Sequence, residues 1–166
     1  ENVTIHGQKT YAGGLAGYNG GSISHCHVSG SVEGYYQVGG LAGWNDTQGQ
    51  ILNCSSAADV SVSASDNHCT AGGLVGQNDG KIMGCRATGN VHGYSGKSFG
   101  VVRTGSLIGT NDEGRVENCY ATGNASAEAT VGQVGGLIGQ NDDGLVINCF
   151  SMGTSFATAT SAAYIG

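Results

Sequence analysis

Thiols, imidazoles and carboxylates are the groups in this chain with chemistry to offer: six Cys, five His and twelve Asp plus Glu. Their spacing argues against one reactive centre. Cys26, Cys54, Cys85, Cys119 and Cys149 each stand three residues after a β-branched apolar residue: Ile23, Ile51, Ile82, Val116 and Val146. Thiols at one repeated position are expected to share an inner corner as small, buried, unreactive groups. With strands about 4.8 Å apart, neighbours in such a row would also lie within disulfide reach, so bridging stays open as an alternative. Cys69 falls outside the row, in a long insert, and is the thiol expected to be exposed or to bridge out of pattern. His25 and His27 flank Cys26 and on a strand would share one face about 6.5 Å apart. No third ligand accompanies them, so no metal centre is expected there. Asp46, Asp79, Asp112 and Asp142, with Glu113 and Asp143 beside two of them, form an acidic column. Carboxylates this close suit Ca²⁺; the simpler reading is a solvated acidic edge that repels other sheets.

Catalysis needs acids and bases gathered once in a cleft, often with a metal or a basic clamp. Here the acids sit at repeated turns, and Lys9, Lys81, Arg86, Lys97, Arg103 and Arg115 are scattered. No catalytic residue and no cofactor is expected, and the chain reads as a non-enzyme. A β-helical polysaccharide-active enzyme is the least favoured reading. The net charge of −6 with only six Lys plus Arg makes nucleic acid a poor partner. No apolar run approaches the roughly 18 to 20 residues of a membrane span, so membrane insertion is not expected. Gly at 32 of 166 residues with no Pro excludes collagen and, with abundant Ser, Thr and Asn, favours short strands and turns over helices.

What must position these side chains is a repeat, and internal repetition decides the fold. Gly-Gly-Leu, or Gly-Ser-Leu once, recurs with Leu15, Leu41, Leu74, Leu107 and Leu137. Two residues after each Leu stands Gly17, Gly43, Gly76, Gly109 or Gly139, and two further on Asn19, Asn45, Asn78, Asn111 or Asn141. A second Gly follows (21, 49, 80, 114, 144), then the β-branched residue and the Cys. The slack sits between Asn and Gly and before the next Gly-Gly-Leu, as it does when insertions bulge from the corners of a coil. The pattern predicts an all-β parallel β-solenoid of about five coils, each of three short strands and expected to be right-handed. The first strand is Gly-Gly-Leu-x-Gly, the second runs from the β-branched residue through Cys, and the third carries Val32, Val60, Val91, Ala125 and Ser155. The Asn–Gly corner is expected to supply left-handed backbone, and the Asn column to hydrogen-bond along the axis. One segment, 1–166, is divided into repeats at roughly 13–38, 39–71, 72–104, 105–134 and 135–161, with partial coils at both ends. A β-sandwich is the runner-up fold, but its strands need not repeat their residues at matched positions.

Gly72-Gly73-Leu74-Val75-Gly76-Gln77-Asn78-Asp79-Gly80-Lys81-Ile82-Met83-Gly84-Cys85 and residues 114–123 resemble the GLUG motif. That repeat occurs in large secreted and surface proteins of bacteria, including IgA-specific metallopeptidases and filamentous adhesins. The resemblance implies extracellular or cell-surface display and transfers no catalytic residues; no His-Glu-x-x-His motif is present.

Two inserts break the symmetry, 61–71 and 92–104. The second carries Tyr94, Lys97, Phe99 and Arg103, a mixture suited to a contact surface. Tyr35 and Tyr36 are read as the matching corner one coil earlier, and these six are the ligand-binding candidates. At the ends, Asn2–Gly7 resembles the third strand at Asn90–Gly93, and Ala162–Gly166 falls where a sixth Gly-Gly-Leu would start. The chain begins with Glu1 rather than Met and reads as a mature product or as a piece cut from a larger precursor. Uncapped coils at both ends expose unpaired edges. The expected role is therefore a rigid stalk or fibre-forming spacer that stacks end to end on copies of itself or on adjacent repeats. The alternative is an adhesive module whose corner loops bind a glycan or a host surface protein.

Overall fold

The structure, a computed structural model, describes residues 2–7, 10–63, 68–96 and 100–166. Among these every regular element is a β-strand, and the ladders between successive coils are parallel. The first wall stacks Ala16–Asn19, Ala42–Asn45, Val75–Asn78, Ile108–Asp112 and Ile138–Asp142 in chain order. The second wall stacks Ser22–Ser24, Gln50–Leu52, Lys81–Met83, Arg115–Glu117 and Leu145–Ile147. The third is a 13-stranded sheet, because most coils cross it twice. His27–Gly34, Ser55–Ser63 and Val91–Tyr94 run out from the Cys corner, and Gln37–Gly39, His68–Gly72 and Val101–Gly105 lead into the next Gly-Gly-Leu or Gly-Ser-Leu. In the last two passes, Ala125–Gly135 and Ser155–Ile165, both halves are one 11-residue strand. The stretch read from sequence as slack thus contains a strand of its own.

Register follows the repeated columns. Asn19, Asn45, Asn78, Asn111 and Asn141 pair in sequence across the first wall. Ile23, Ile51, Ile82, Val116 and Val146 do so in the second. Val32, Val60, Val91, Ala125 and Ser155 do so in the third. Parallel, in-register stacking places like over like, so apolar columns make a continuous core. Leu41, Leu74, Leu107, Ile51 and Ile82 are fully buried, each worth roughly 1.5–3 kcal/mol relative to exposure. The end layers lack a neighbour. Leu15 is 52% exposed where Leu41 is 0%, and Ile165 is 56% exposed where its partner Val134 is 1%.

Strand limits differ from the sequence reading in physically consistent ways. Gly-Gly-Leu is the corner itself, and the first-wall strands begin after the Leu. The corner is still stitched between coils, since Leu41 N–H donates to Leu74 O at 2.9 Å. The Gly two residues later is required by close approach. A Cβ on Gly43 would stand 2.8 Å from Ala12 N, and one on Gly109 would stand 2.9 Å from Ala71 N, closer than side-chain carbons come. The second-wall strands stop before the Cys. The turn there uses a left-handed residue in every coil: His25 (φ 54°), Asn53 (53°), Gly84 (64°), Asn118 (53°) and Asn148 (52°). At the Asn–Gly corner, by contrast, only Glu113 and Asp143 are left-handed, so the left-handed backbone expected there is confined to two coils and runs through every coil at the Cys corner instead. At the ends, Ile5 pairs with Val32 and His6 with Glu33, which aligns Ile5-His6-Gly7 with Val91-His92-Gly93. Ala162–Ile165 pair with Val131–Val134, so they form the strand leading to a corner, and only Gly166 reaches the first Gly position.

Candidate functional site

Two corners carry hydrogen-bonded columns. At the first, each Asn donates Nδ2–H to the Oδ1 of the Asn one coil on: Asn19 to Asn45 at 2.8 Å, Asn45 to Asn78, Asn78 to Asn111 and Asn111 to Asn141 at 2.7 Å each. The second amide hydrogen serves the corner's own backbone, as from Asn78 to Gly80 O at 3.2 Å and from Asn111 to Gly114 O at 3.0 Å. Glycine is needed beside this column, because a Cβ at Gly80 would meet Asn45 Nδ2 at 2.8 Å. Asn45, Asn78 and Asn111 are fully buried yet satisfied, the condition under which a buried amide is tolerated.

At the second corner, the backbone N–H of each Cys donates to the Sγ of the Cys one coil on. Cys26 to Cys54 is 3.4 Å, and Cys54 to Cys85, Cys85 to Cys119 and Cys119 to Cys149 are 3.3 Å. Each thiol donates to the carbonyl two residues before it, as from Cys85 to Met83 O at 3.3 Å and from Cys119 to Glu117 O at 3.0 Å. All six cysteines are thiols rather than disulfides. The Sγ atoms of Cys54, Cys85, Cys119 and Cys149 are therefore occupied as both donors and acceptors. Burial pushes the Cys54 and Cys149 thiols up from their ordinary range. The hydrogen bond with Cys85, then burial, does the same to Cys119. Cys69 is not an exposed thiol: it is 1% exposed, inside strand His68–Gly72, where it pairs with Val102. The insert returns to the sheet before Cys69 is reached. His25 and His27 do not share a strand face either, since His25 makes the left-handed turn and His27 opens a strand, with Nδ1 hydrogen-bonded to Ser55 Oγ at 2.8 Å.

The flank candidates separate. Tyr35 borders a hollow of about 200 Å³ with His6, Glu33 and Ser61. Tyr94 borders one of about 350 Å³ with Glu128, Thr130 and Thr158. The two turns are two layers apart rather than one, because Gly34 pairs with Val62 and Val62 with Gly93. Lys97 and Phe99 lie outside the described residues. Tyr36 and Arg103 do come together, in a pocket of about 180 Å³.

That pocket belongs to a seam which the sequence reading missed. Side chains two residues before the first four corners (Tyr11, Gln37, Thr70, Arg103) meet those just before the column Asn residues (Tyr18, Trp44, Gln77, Thr110, Gln140). Tyr11 and Tyr18 both pack on Trp44 with ring centroids 5.3 Å away. Gln37 Nε2 donates to Gln77 Oε1, and Arg103 Nε to Gln140 Oε1. The acidic column accepts from the same seam. Tyr18 donates to Asp46 at 2.5 Å, Trp44 Nε1 and Gln77 Nε2 to Asp79 at 2.8 and 2.9 Å, and Gln140 Nε2 to Asp142 at 2.6 Å. The Tyr18 bond holds the Asp46 carboxyl below the usual carboxylate range. Burial raises Asp79 despite its two donors. Among the described residues no three His, Cys, Asp or Glu side chains converge as a metal site would require. The signal available in the sequence was two columns at fixed offsets in which Gln and aromatic residues recur.

The family model described as "The GLUG motif" matches the chain four times, at residues 10–33, 34–61, 67–91 and 100–126. No curated protein matches it.

Proposed function

Since the chain belongs to the GLUG-motif family and its repeats close into one β-solenoid, we propose that it is a rigid structural module of a secreted or cell-surface protein, extended by coils stacked on its end layers. The observation that carries this reading is the contrast between like positions. Inward columns fully buried in the middle coils surface at the ends, at Leu15 on one side and at Val146 and Ile165 on the other. The edge strands there, Ala16–Asn19 and Ser22–Ser24 at one end and Ile138–Asp142 and Leu145–Ile147 at the other, each have one unpaired side. Open edges of this kind template further strands. Head-to-tail addition propagates along the axis instead of closing. The incoming coil belongs to adjacent repeats or to a second copy, and the module carries no reaction of its own. Sedimentation velocity of the 166-residue chain should show elongated oligomers that grow with concentration and are suppressed by Ile165→Lys. A monomer at high concentration, with both end layers protected from amide exchange, would overturn the proposal.

A further inference from the structure

The outer face of the third sheet carries a polar column that the sequence reading passed over. Strands Arg86–Ala87 and Tyr120–Ala121 stop before Gly89-Asn90 and Gly123-Asn124. The coils approach too closely there for a side chain, since a Cβ on Gly123 would stand 1.9 Å from Gly89 O. The residue after each glycine position bonds to a side chain of the coil before it. Asn90 N–H donates to Asp59 Oδ1 at 2.8 Å, Asn124 N–H to Asn90 Oδ1 at 3.1 Å, and Thr154 N–H to Asn124 Oδ1 at 2.9 Å. Among the described residues this leaves Asn90 Nδ2, Asn124 Nδ2 and Asp59 Oδ2 without a protein partner. All three side chains are exposed, so these groups are solvated in the free protein and open to a ligand.

Two residues further along the strands a second outward column runs beside the first: Glu33, Ser61, His92 and Ser126. Between the two columns lies a hollow of about 430 Å³. Its four layers make it roughly 14 Å long, and two residues of strand make it roughly 6.6 Å wide. It adjoins the smaller hollow beside Tyr35, since Glu33 and Ser61 line both.

We infer that this trough binds a linear neutral glycan laid along the solenoid axis. The same groups recur layer after layer, which suits a polymer whose hydroxyls also recur. A hydroxyl both donates and accepts, so one sugar chain can answer the amide donors of Asn90 and Asn124 and the Asp59 oxygen. His92, held through Nδ1 by Ser126 Oγ at 3.0 Å, keeps Nε2 for the opposite side of the chain. Tyr35, 41% exposed, offers its ring to the apolar face of a sugar at one end. Glu33 and Asp59 line the space, and among the described residues no Lys or Arg does, so an acidic polymer would be repelled. A basic peptide fits less well. Glu33 is already paired with His6, and lysine and arginine side chains only donate, which would leave both amides unanswered. The trough lies on the flank rather than on an end layer, so the assignment is independent of end-to-end stacking.

An array of neutral and acidic glycans with an oligolysine control, probed with the 166-residue chain and followed by calorimetry on the best neutral hit, tests this. Affinity is expected to rise from mono- to oligosaccharide as more layers are engaged. Asp59 shows that the column accepts a carboxylate, so the double variant Asn90→Asp, Asn124→Asp keeps each ladder bond while removing both free donors. It should melt close to the wild type and lose at least tenfold in affinity. Tyr35→Ala leaves the ladder untouched and should weaken binding several-fold, whereas Trp44→Phe, in the seam, should change nothing. Absence of neutral glycan binding, binding confined to acidic glycans or to oligolysine, or affinity that does not grow with chain length would each overturn the assignment. So would affinity untouched by both the Asn and the Tyr35 substitutions, or lost on Trp44→Phe instead.

Discussion

The Asn corner and the Cys corner hold the same coils in register with different chemistry. At the Asn corner, side chain bonds to side chain. Each amide has two donors and a strong acceptor, all committed inside a buried column. At the Cys corner, side chain bonds to backbone. The sulfur accepts the neighbour's N–H at 3.3 to 3.4 Å and returns a weak S–H bond to its own strand. The backbone differs in the same sense. Residues preceding the thiols are uniformly left-handed, while the Asn corner needs such residues in only two coils. The Cys corner is defined mainly by its backbone turn, and the Asn corner by its side chains. Substitution should therefore hurt more at the second.

The largest effect is expected from Asn78→Leu. It strips a partner from buried Asn45 Nδ2, Asn111 Oδ1 and Gly80 O together, and about 3–5 kcal/mol should be lost in urea unfolding. Asn141→Ala, at an exposed rung, should cost under about 1 kcal/mol, and equal losses at the two sites would break the account. Cys85→Ala removes one weak acceptor and a small volume, with an expected cost of about 1–3 kcal/mol. A cost above that of Asn78→Leu would reverse the ranking of the corners. Thiol chemistry sharpens the comparison without mutation. In native alkylation followed by peptide mapping, Cys26 and Cys149 should label first, with Cys54, Cys69, Cys85 and Cys119 protected. Early labelling of Cys85 would mean that the sulfur column opens.

The smallest effect concerns Asp79, in the acidic column that flanks the Asn corner. Burial raises its pKa, so the folded chain binds this proton more tightly than the unfolded chain does. Its contribution to stability is then complete below the ordinary carboxylate value, about pH 4, and is lost as pH rises through the raised value. In paired denaturation curves, the wild type should lose stability relative to Asp79→Asn on raising the pH from about 4 through the weakly acidic range. A slope of opposite sign would show that Trp44 and Gln77 stabilise the carboxylate more than burial opposes it.

The columns were legible because, in parallel stacking, one position meets the same position in every coil, and its requirement repeats. Strand limits were less so. Leu41 is apolar and buried whether it ends a strand or turns a corner, and alternation alone does not separate the two. The left-handed turn was hidden because it is filled by His, Asn and Gly in different coils rather than by Gly throughout. Cys69 looked like a loop residue because nothing local marks where the insert rejoins the sheet. The pocket could not be read from any one motif. Arg103 and Gln140 are 37 residues apart and belong to two columns that only the corner brings together. Arg103 was singled out for its insert, whereas its working contact lies across the seam.

The asparagine column also has a sense of direction. Each carboxamide points its N–H toward the higher-numbered coil and its oxygen toward the lower. The bond dipoles therefore add, and no single rung can turn over without breaking the bonds on both sides of it. Like a row of arrows, the column ends in an oxygen at Asn19 and in an N–H at Asn141. A coil meeting the Asn141 face must bring an oxygen, and one meeting Asn19 must bring a donor. Two copies presented with the same face would set donor against donor or oxygen against oxygen. The amides thus encode polarity in any array built on this coil, and they would reject a reversed neighbour even where its apolar columns matched.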